Sequence, residues 1–270
     1  MSFYQIYIKS SLHVALAVTS LSLITYLEFD RTASLPLLLF TFCGTVGSYN
    51  AIKYLPVYKK IRENNQRLYR IACSISLISL VFSIGALFYI DRELLPVLAI
   101  IGVITAAYAF PLNRRFKNLR NVYGFKIFII GFVWASVTVL LPLMEANIGF
   151  PGNPEAIATF IQRLLFVIVL TIPFDIRDRT DDPDYLGTLP MILGTKKAVG
   201  LGLLLLAAVA CIEIFFRSDL NTSLPVFFIV NLVTGLLLYR SMGRQSPWLA
   251  AFWIEGIPIF WAALYLVTRY

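Results

Sequence analysis

Leu164-Leu-Phe-Val-Ile-Val-Leu-Thr-Ile-Pro-Phe174, continued without a break by Asp175-Ile-Arg-Asp178-Arg-Thr-Asp-Asp182, runs an apolar segment straight into a block of acid. Carboxylates at i, i+3 and i+7 put Asp175, Asp178 and Asp182 on one helical face. Five of the chain's fifteen acidic residues fall between Asp175 and Asp184, and like charges gathered beside a bilayer need something cationic among them. The simplest candidate is Mg²⁺, a hard cation usually held by one or two carboxylates plus the phosphates of a substrate. Asp175, Asp178 and Asp182 are therefore the candidate metal ligands and catalytic residues.

The apolar half of that stretch is one of nine. With 59% apolar and 14% charged residues and a mean hydropathy of +0.77, the chain reads as an integral membrane protein, because apolar runs of about 18 residues or more are bilayer spans. The expected spans are 10–27, 35–57, 71–90, 94–112, 122–143, 158–174, 198–216, 223–240 and 248–268. The fold class is thus an all-α polytopic membrane bundle of about nine transmembrane helices. No hydrophilic stretch is long enough to fold alone, so residues 1–270 are expected to form a single integral membrane domain. The first span has no small-residue cleavage site after it and reads as a retained helix.

Charge between the spans gives an independent reading of the count. With the N-terminus inside, the inner side receives Lys9, Lys59, Lys60, Arg62, Arg67, Arg70, Arg114, Arg115, Lys117, Arg120, Lys126, Arg177, Arg179, Lys196, Lys197, Arg240 and Arg244, and the outer side only Arg31, Arg92, Arg163, Arg217 and Arg269. The bias recurs at every inner loop, as an inner (cytoplasmic) membrane requires. It accounts for the net charge of +8 through topology and anionic lipid, with no nucleic-acid partner needed. Cys43, Cys73 and Cys211 are far apart inside spans and read as small buried side chains, not as a disulfide or metal site.

At this point the residues carry a family resemblance. The segment from Asp175 to Asp182, with Gly187-Thr-Leu-Pro190 and Leu193-Gly-Thr-Lys-Lys197 after it, resembles the second aspartate-rich motif of the UbiA superfamily of intramembrane prenyltransferases and its downstream signature. Tyr108-Ala-Phe-Pro111-Leu-Asn-Arg114-Arg115 is similar to that family's tyrosine, proline and basic cluster, with Asn113 where a lysine is often found. The resemblance implies nine helices around a central cavity, with Mg²⁺ holding the diphosphate of an isoprenoid donor at the cytoplasmic end. It also implies substrate-binding roles for Tyr108 and Arg114, and Arg179, on a neighbouring cytoplasmic loop, is placed to reach the same diphosphate.

The chain departs from the family's first motif, Asn-Asp-x-x-Asp-x-x-x-Asp. Aligned on Asn50, the sequence reads Asn50-Ala51-Ile-Lys53-Tyr54-Leu-Pro-Val-Tyr58, so Ala51, Tyr54 and Tyr58 replace the three aspartates. Half of the implied metal cage is missing, which leaves a reduced Mg²⁺ site. Lys53, one helical turn from Asn50, has three readings: an ammonium contacting phosphate directly, an ion pair with Asp175 or Asp178 across the cavity, or a side chain snorkelling to headgroups. Lys53 joins the aspartates as a candidate catalytic residue, and Asn50 and Tyr54 are candidate substrate contacts.

The expected chemistry is a Mg²⁺-dependent transfer of a prenyl group from an allylic isoprenoid diphosphate to a hydrophobic or aromatic acceptor. Metal and cationic side chains neutralise the departing diphosphate, and ring faces stabilise the carbocation. Tyr49, Tyr54, Tyr108, Phe110, Trp134 and Phe174 are placed to line such a cavity, although in a chain with 14% aromatics each also reads as packing. Glu213 reads as reaching the outer interface. Glu255, two turns into the last span, is open between a functional and a structural carboxylate, and His13 reads as structural. Spans two and six each end in a polar functional segment and spans four and eight each end in an arginine-bearing one, an echo that suggests two four-helix halves and a closing helix. The alternatives are a non-catalytic isoprenoid- or lipid-binding protein of the same fold and, more weakly, a small-solute transporter, which would need polar groups at midplane.

Overall fold

A computed structural model describes residues 3–54, 66–110, 118–180, 182–217 and 223–269. Its elements are α1 (Phe3–Lys9), α2 (Leu12–Glu28), α3 (Leu35–Tyr54), α4 (Gln66–Leu87), α5 (Leu95–Ala109), α6 (Lys126–Glu145), α7 (Pro154–Arg177), the short α8 (Leu189–Leu193), α9 (Thr195–Phe216), α10 (Ser223–Arg240) and α11 (Leu249–Arg269). Among the described residues seven helices are long and apolar enough to cross a membrane, and α2 and α10 are shorter apolar helices beside them. Each of the nine apolar runs forms one of these rods. The chain is an integral, multi-pass membrane protein.

Contacts between ends fix an alternating up-and-down order. Gln245, after α10, donates to the Pro173 carbonyl near the end of α7 at 3.1 Å, whereas Arg269, at the end of α11, pairs with Asp30 just after α2. The acidic segment therefore shares one end of the bundle with the C-terminus of α3 and the N-terminus of α6. The opposite end holds Glu28, Arg163 and Arg217.

Packing centres on α2 and α7. Leu21 and Ile24 from α2, Phe166, Val169 and Ile172 from α7, and Trp261 from α11 are all fully buried in one cluster, so the apolar surface of the middle helices faces protein and that of the outer ones faces lipid. Gly131 lets α6 approach α7 closely: a Cβ there would stand 3.2 Å from the Leu164 carbonyl, the small-residue contact that membrane helices use in place of hydrophobic drive. At the start of α7, Asn153 accepts hydrogen bonds from the Glu155 and Ala156 amides, with Pro154 in the first turn. These are the residues helix starts favour.

Two π-helical stretches interrupt the rods, Ser136–Leu140 in α6 and Leu249–Ile254 in α11. Widened turns misalign backbone carbonyls, which need partners inside a bilayer. Thr25 of α2 donates to the Thr138 carbonyl at 2.6 Å, and His13 Nε2 donates to the Phe252 carbonyl at 3.0 Å. A carbonyl only accepts, so the His13 proton sits on Nε2, and Nδ1 accepts from the Tyr7 hydroxyl at 2.9 Å. His13 holds α1, α2 and α11 together, the structural role expected of it.

Candidate functional site: an acidic cluster at the mouth of an apolar cavity

The segment after the acidic block docks the loop that precedes α6. Gly124 donates its amide to the Leu186 carbonyl at 3.0 Å. Gly187, with φ +52°, lies so close to Tyr123 that a Cβ would fall 2.4 Å from the ring. Only glycine fits a left-handed residue beneath an aromatic face. This docking delivers Lys126, the first residue of α6, to the acids.

Lys126 donates from Nζ to Asp175 Oδ1 at 2.8 Å and stands 3.5 Å from Asp182 Oδ2. The Asp175 side chain is 1% exposed, and those of Lys126 and Asp182 are 13% and 14% exposed. Asp178 turns away: Arg177 Nε and Nη2 hold its two oxygens at 2.6 and 2.9 Å, and the Arg177 guanidinium lies 5.2 Å above the Phe174 ring. The three aspartates therefore share an end of the bundle without meeting at a point. Among the described residues no group of three or more His, Cys, Asp or Glu side chains stands close enough to hold a metal ion.

The remaining donor set fits a smaller role for Mg²⁺. Asp175 Oδ2 and Asp182 Oδ2 are both buried without a hydrogen-bond partner, and two carboxylates with spare oxygens are what a Mg²⁺ completed by substrate phosphates uses. Among the described residues these two carboxylates are the ones that could hold such an ion.

Several expected positions fall elsewhere. Lys53 makes no ion pair with Asp175 or Asp178. Its ammonium donates to the Lys9 carbonyl at 3.3 Å and lies 5.5 Å from the Tyr54 ring centroid, because Lys126 is the nearer cation and already occupies the acids. The Tyr54 hydroxyl donates to the same carbonyl, so both residues tie α3 to α1. Asn50 is buried, donates to Ser76 Oγ at 2.9 Å and keeps Oδ1 unpaired. Arg179 points to Thr195 Oγ1, 3.2 Å away at the start of α9. Arg114 lies outside the described residues. Tyr108 is 8% exposed and in the electrostatic neighbourhood of Lys126, Asp175 and Asp182.

A mostly apolar cavity of about 430 Å³ lies between α3, α5 and α6; Lys126, Asp175 and Asp182 are not among its walls, and Tyr108 is the wall residue that feels their charges. Tyr49, Tyr108, Phe110 and Trp134 are among its walls, with Ile129 and Ile130 one turn along α6 from Lys126. Trp134 Nε1 donates to the Tyr49 hydroxyl at 3.0 Å, fixing both rings. Tyr54 and Phe174 do not line it: the first is turned to Lys9 and the second lies under Arg177.

The opposite end corrects a second expectation. Arg163, Arg217 and Glu213 are not interfacial charges but a buried network with Glu28. Arg163 Nη2 is 3.6 Å and Arg217 Nη2 3.2 Å from Glu28 Oε2, and Arg217 Nε is 3.3 Å from Glu213 Oε1. Gln162 adds a bond to Glu213 at 2.8 Å. Burial opposes charge on Arg217, which lies just beyond α9, but Glu28 and Glu213 outweigh it and hold the guanidinium above its ordinary range.

The whole chain superposes on solved membrane proteins. A UbiA homolog from Aeropyrum pernix K1, in its apo form, matches at a TM-score of 0.68 and 16% identity, covering 96% of this chain and 98% of that one. The fold is that of the UbiA homologs. A UbiA homolog from Archaeoglobus fulgidus bound to GPP and Mg²⁺ matches at 0.67 and 15% identity over 99% of both chains. Digeranylgeranylglyceryl phosphate synthase matches at 0.59 and 16% identity, over 97% of this chain and 94% of that one. No protein-family model and no curated protein matches the sequence. The UbiA fold is thus reached here by a sequence far from those of the solved structures.

Proposed function

We propose that the chain is a divergent UbiA-type prenyltransferase, moving a prenyl group from an allylic isoprenoid diphosphate to a hydrophobic or aromatic acceptor at a reduced Mg²⁺ site. The observation that carries this reading is the Asp175–Lys126–Asp182 cluster together with an aromatic-walled apolar cavity whose wall residue Tyr108 lies within reach of the cluster's charges. Structural neighbours with the same fold bind GPP or DMAPP together with Mg²⁺, which supports an isoprenoid diphosphate as donor. The loop charges support a cytoplasmic site with the N-terminus inside, in one membrane domain surrounded by lipid.

In this reading the apolar cavity takes the prenyl chain and the cluster takes the diphosphate. Asp175 and Asp182 would hold Mg²⁺ together with the phosphates, and the ion would supply charge neutralisation there. The allylic C–O bond breaks with its electron pair on the departing pyrophosphate; the acceptor then bonds to the allylic carbon and gives up one proton to solvent. Tyr49, Tyr108 and Trp134 present rings to the passing cation, each such contact worth about 0.5–2 kcal/mol, and the apolar walls exclude water that would quench it. The test is Mg²⁺-dependent pyrophosphate release by the purified protein from a panel of allylic diphosphates, with membrane lipid extract as the acceptor source. No release from any donor, with a known relative active in parallel, would overturn the reading.

Cavity depth gives a second prediction. Gly102 lines the cavity, and a Cβ there meets nothing within 4 Å, so the side chain of Gly102→Phe starts in open space beside the cavity. Release from the longest accepted donor should fall about tenfold or more while the shortest is spared, since one lost contact layer is worth roughly 1–3 kcal/mol. Equal loss for every chain length would place the prenyl group elsewhere.

A non-catalytic isoprenoid- or lipid-binding protein is the second reading, favoured by one observation: Lys126 and Arg177 already engage all three motif aspartates. A diphosphate that binds but is never cleaved would establish it.

A further inference from the structure

The lysine at the start of α6 is the least expected member of the acidic cluster. Lys126 bonds one oxygen of Asp175 and approaches Asp182, while the second oxygen of Asp175 is left buried and unpaired. An ammonium placed between two carboxylates stands where a cation bridging them would stand, and it brings three donors, of which Asp175 and Asp182 take at most two. The third is free for an oxyanion. The first acidic motif has meanwhile become Ala51, Tyr54 and Tyr58, removing ligands that a further metal would need.

We propose that Lys126 is the resident cation of this site: its ammonium replaces a bridging metal between Asp175 and Asp182, excludes divalent ions until a diphosphate arrives, and contacts that diphosphate directly. The proposal rests on the diphosphate-binding part of the function proposed above. Its logic is electrostatic. A fixed positive charge about 3–4 Å from a prospective metal position repels the metal strongly in a buried setting, whereas a diphosphate brings enough negative charge to hold both. A lysine delivers that charge with no ligand exchange, and the loop docking through Gly124 and Gly187 sets its position.

The test uses the full chain in detergent with Mn²⁺ as a spin-active probe and inorganic pyrophosphate as the anion. Wild type should bind Mn²⁺ weakly without pyrophosphate, Lys126→Gln at least about tenfold more tightly, and Lys126→Arg like wild type, since only the first variant removes the resident charge. Pyrophosphate affinity should fall about tenfold or more in Lys126→Gln, as expected when a charge-assisted contact is lost. Equal Mn²⁺ affinity in wild type and Lys126→Gln, or unchanged pyrophosphate binding, overturns the proposal. Should Lys126→Gln fail to fold around an unbalanced Asp175, Asp175→Asn is compared with Asp175→Asn/Lys126→Gln. A tenfold weaker pyrophosphate affinity in the double variant supports the role, and equal affinity overturns it. The transferase reading fails separately, if these binding results hold but no allylic donor is cleaved.

Discussion

Arg163→Met is expected to lower the stability of the detergent-solubilised protein by about 3–5 kcal/mol, the usual cost of removing one partner from a buried ion pair. The Arg163 side chain is fully buried. It donates to the Leu21 carbonyl at 2.8 Å, faces Glu28 and lies 5.3 Å from the Trp261 ring. Without it, Glu28 and Glu213 share Arg217 alone, and the Leu21 carbonyl loses its extra donor. The cost is in the unpaired charge and not in the lost contacts, so Glu28→Gln added to Arg163→Met should recover a substantial part of the loss. Thermal unfolding of wild type, single and double variants decides the matter. An unshifted midpoint for Arg163→Met, or a double variant worse than the single, would mean that water reaches this end of the bundle and screens the charges.

That network also marks how far the sequence could be read. Apolar length announced the rods, because a bilayer fixes how many consecutive residues a helix needs, and the recurrent inner charge announced their alternation. The acids from Asp175 to Asp182 stood out in the sequence, and the structure gathers Asp175 and Asp182 around one lysine. What stayed hidden was partnership. Arg163 and Arg217 at helix ends look the same in sequence whether they reach headgroups or turn inward, and Glu28 is 135 residues from Arg163 by number. Lys126 looked like one more inner-side charge for the same reason: its partner Asp175 lies 49 residues away. The available signal was a lysine just inside an apolar run, two residues after Gly124. Lys53 drew attention by standing in a degenerate motif, yet its geometry serves the α1–α3 contact. Asp178 is a third case: i+3 spacing predicts the face of Asp175, but α7 ends at Arg177 and Asp178 opens a tighter turn, where the neighbouring arginine holds it.

Asp175→Asn should cut pyrophosphate release by about 10²–10³-fold, the range seen when one preorganised charge or donor is taken from a reacting anion's site. Asp175 is the deepest acid, 1% exposed, and its Oδ1 is the atom that fixes the Lys126 ammonium. An asparagine keeps the shape but can offer Lys126 only a neutral oxygen, and offers nothing charged to Mg²⁺ from the other. On the proposed reading the ammonium and the Mg²⁺ would both be less well held, although the protein loses no packing and should melt near wild type, since Lys126 keeps Asp182 as a partner. Asp178→Asn provides the contrast. Its side chain is 35% exposed and bound by Arg177, so its loss acts through a solvent-screened pair and should cost less than that of Asp175. Steady-state pyrophosphate release for the two variants, at saturating donor and across a Mg²⁺ titration, orders them. A dead Asp178→Asn beside an active Asp175→Asn would move the working carboxylate to the solvent-facing side of the cluster. Wild-type rates in both variants would leave the acidic block without a part in cleavage, whatever the cavity holds.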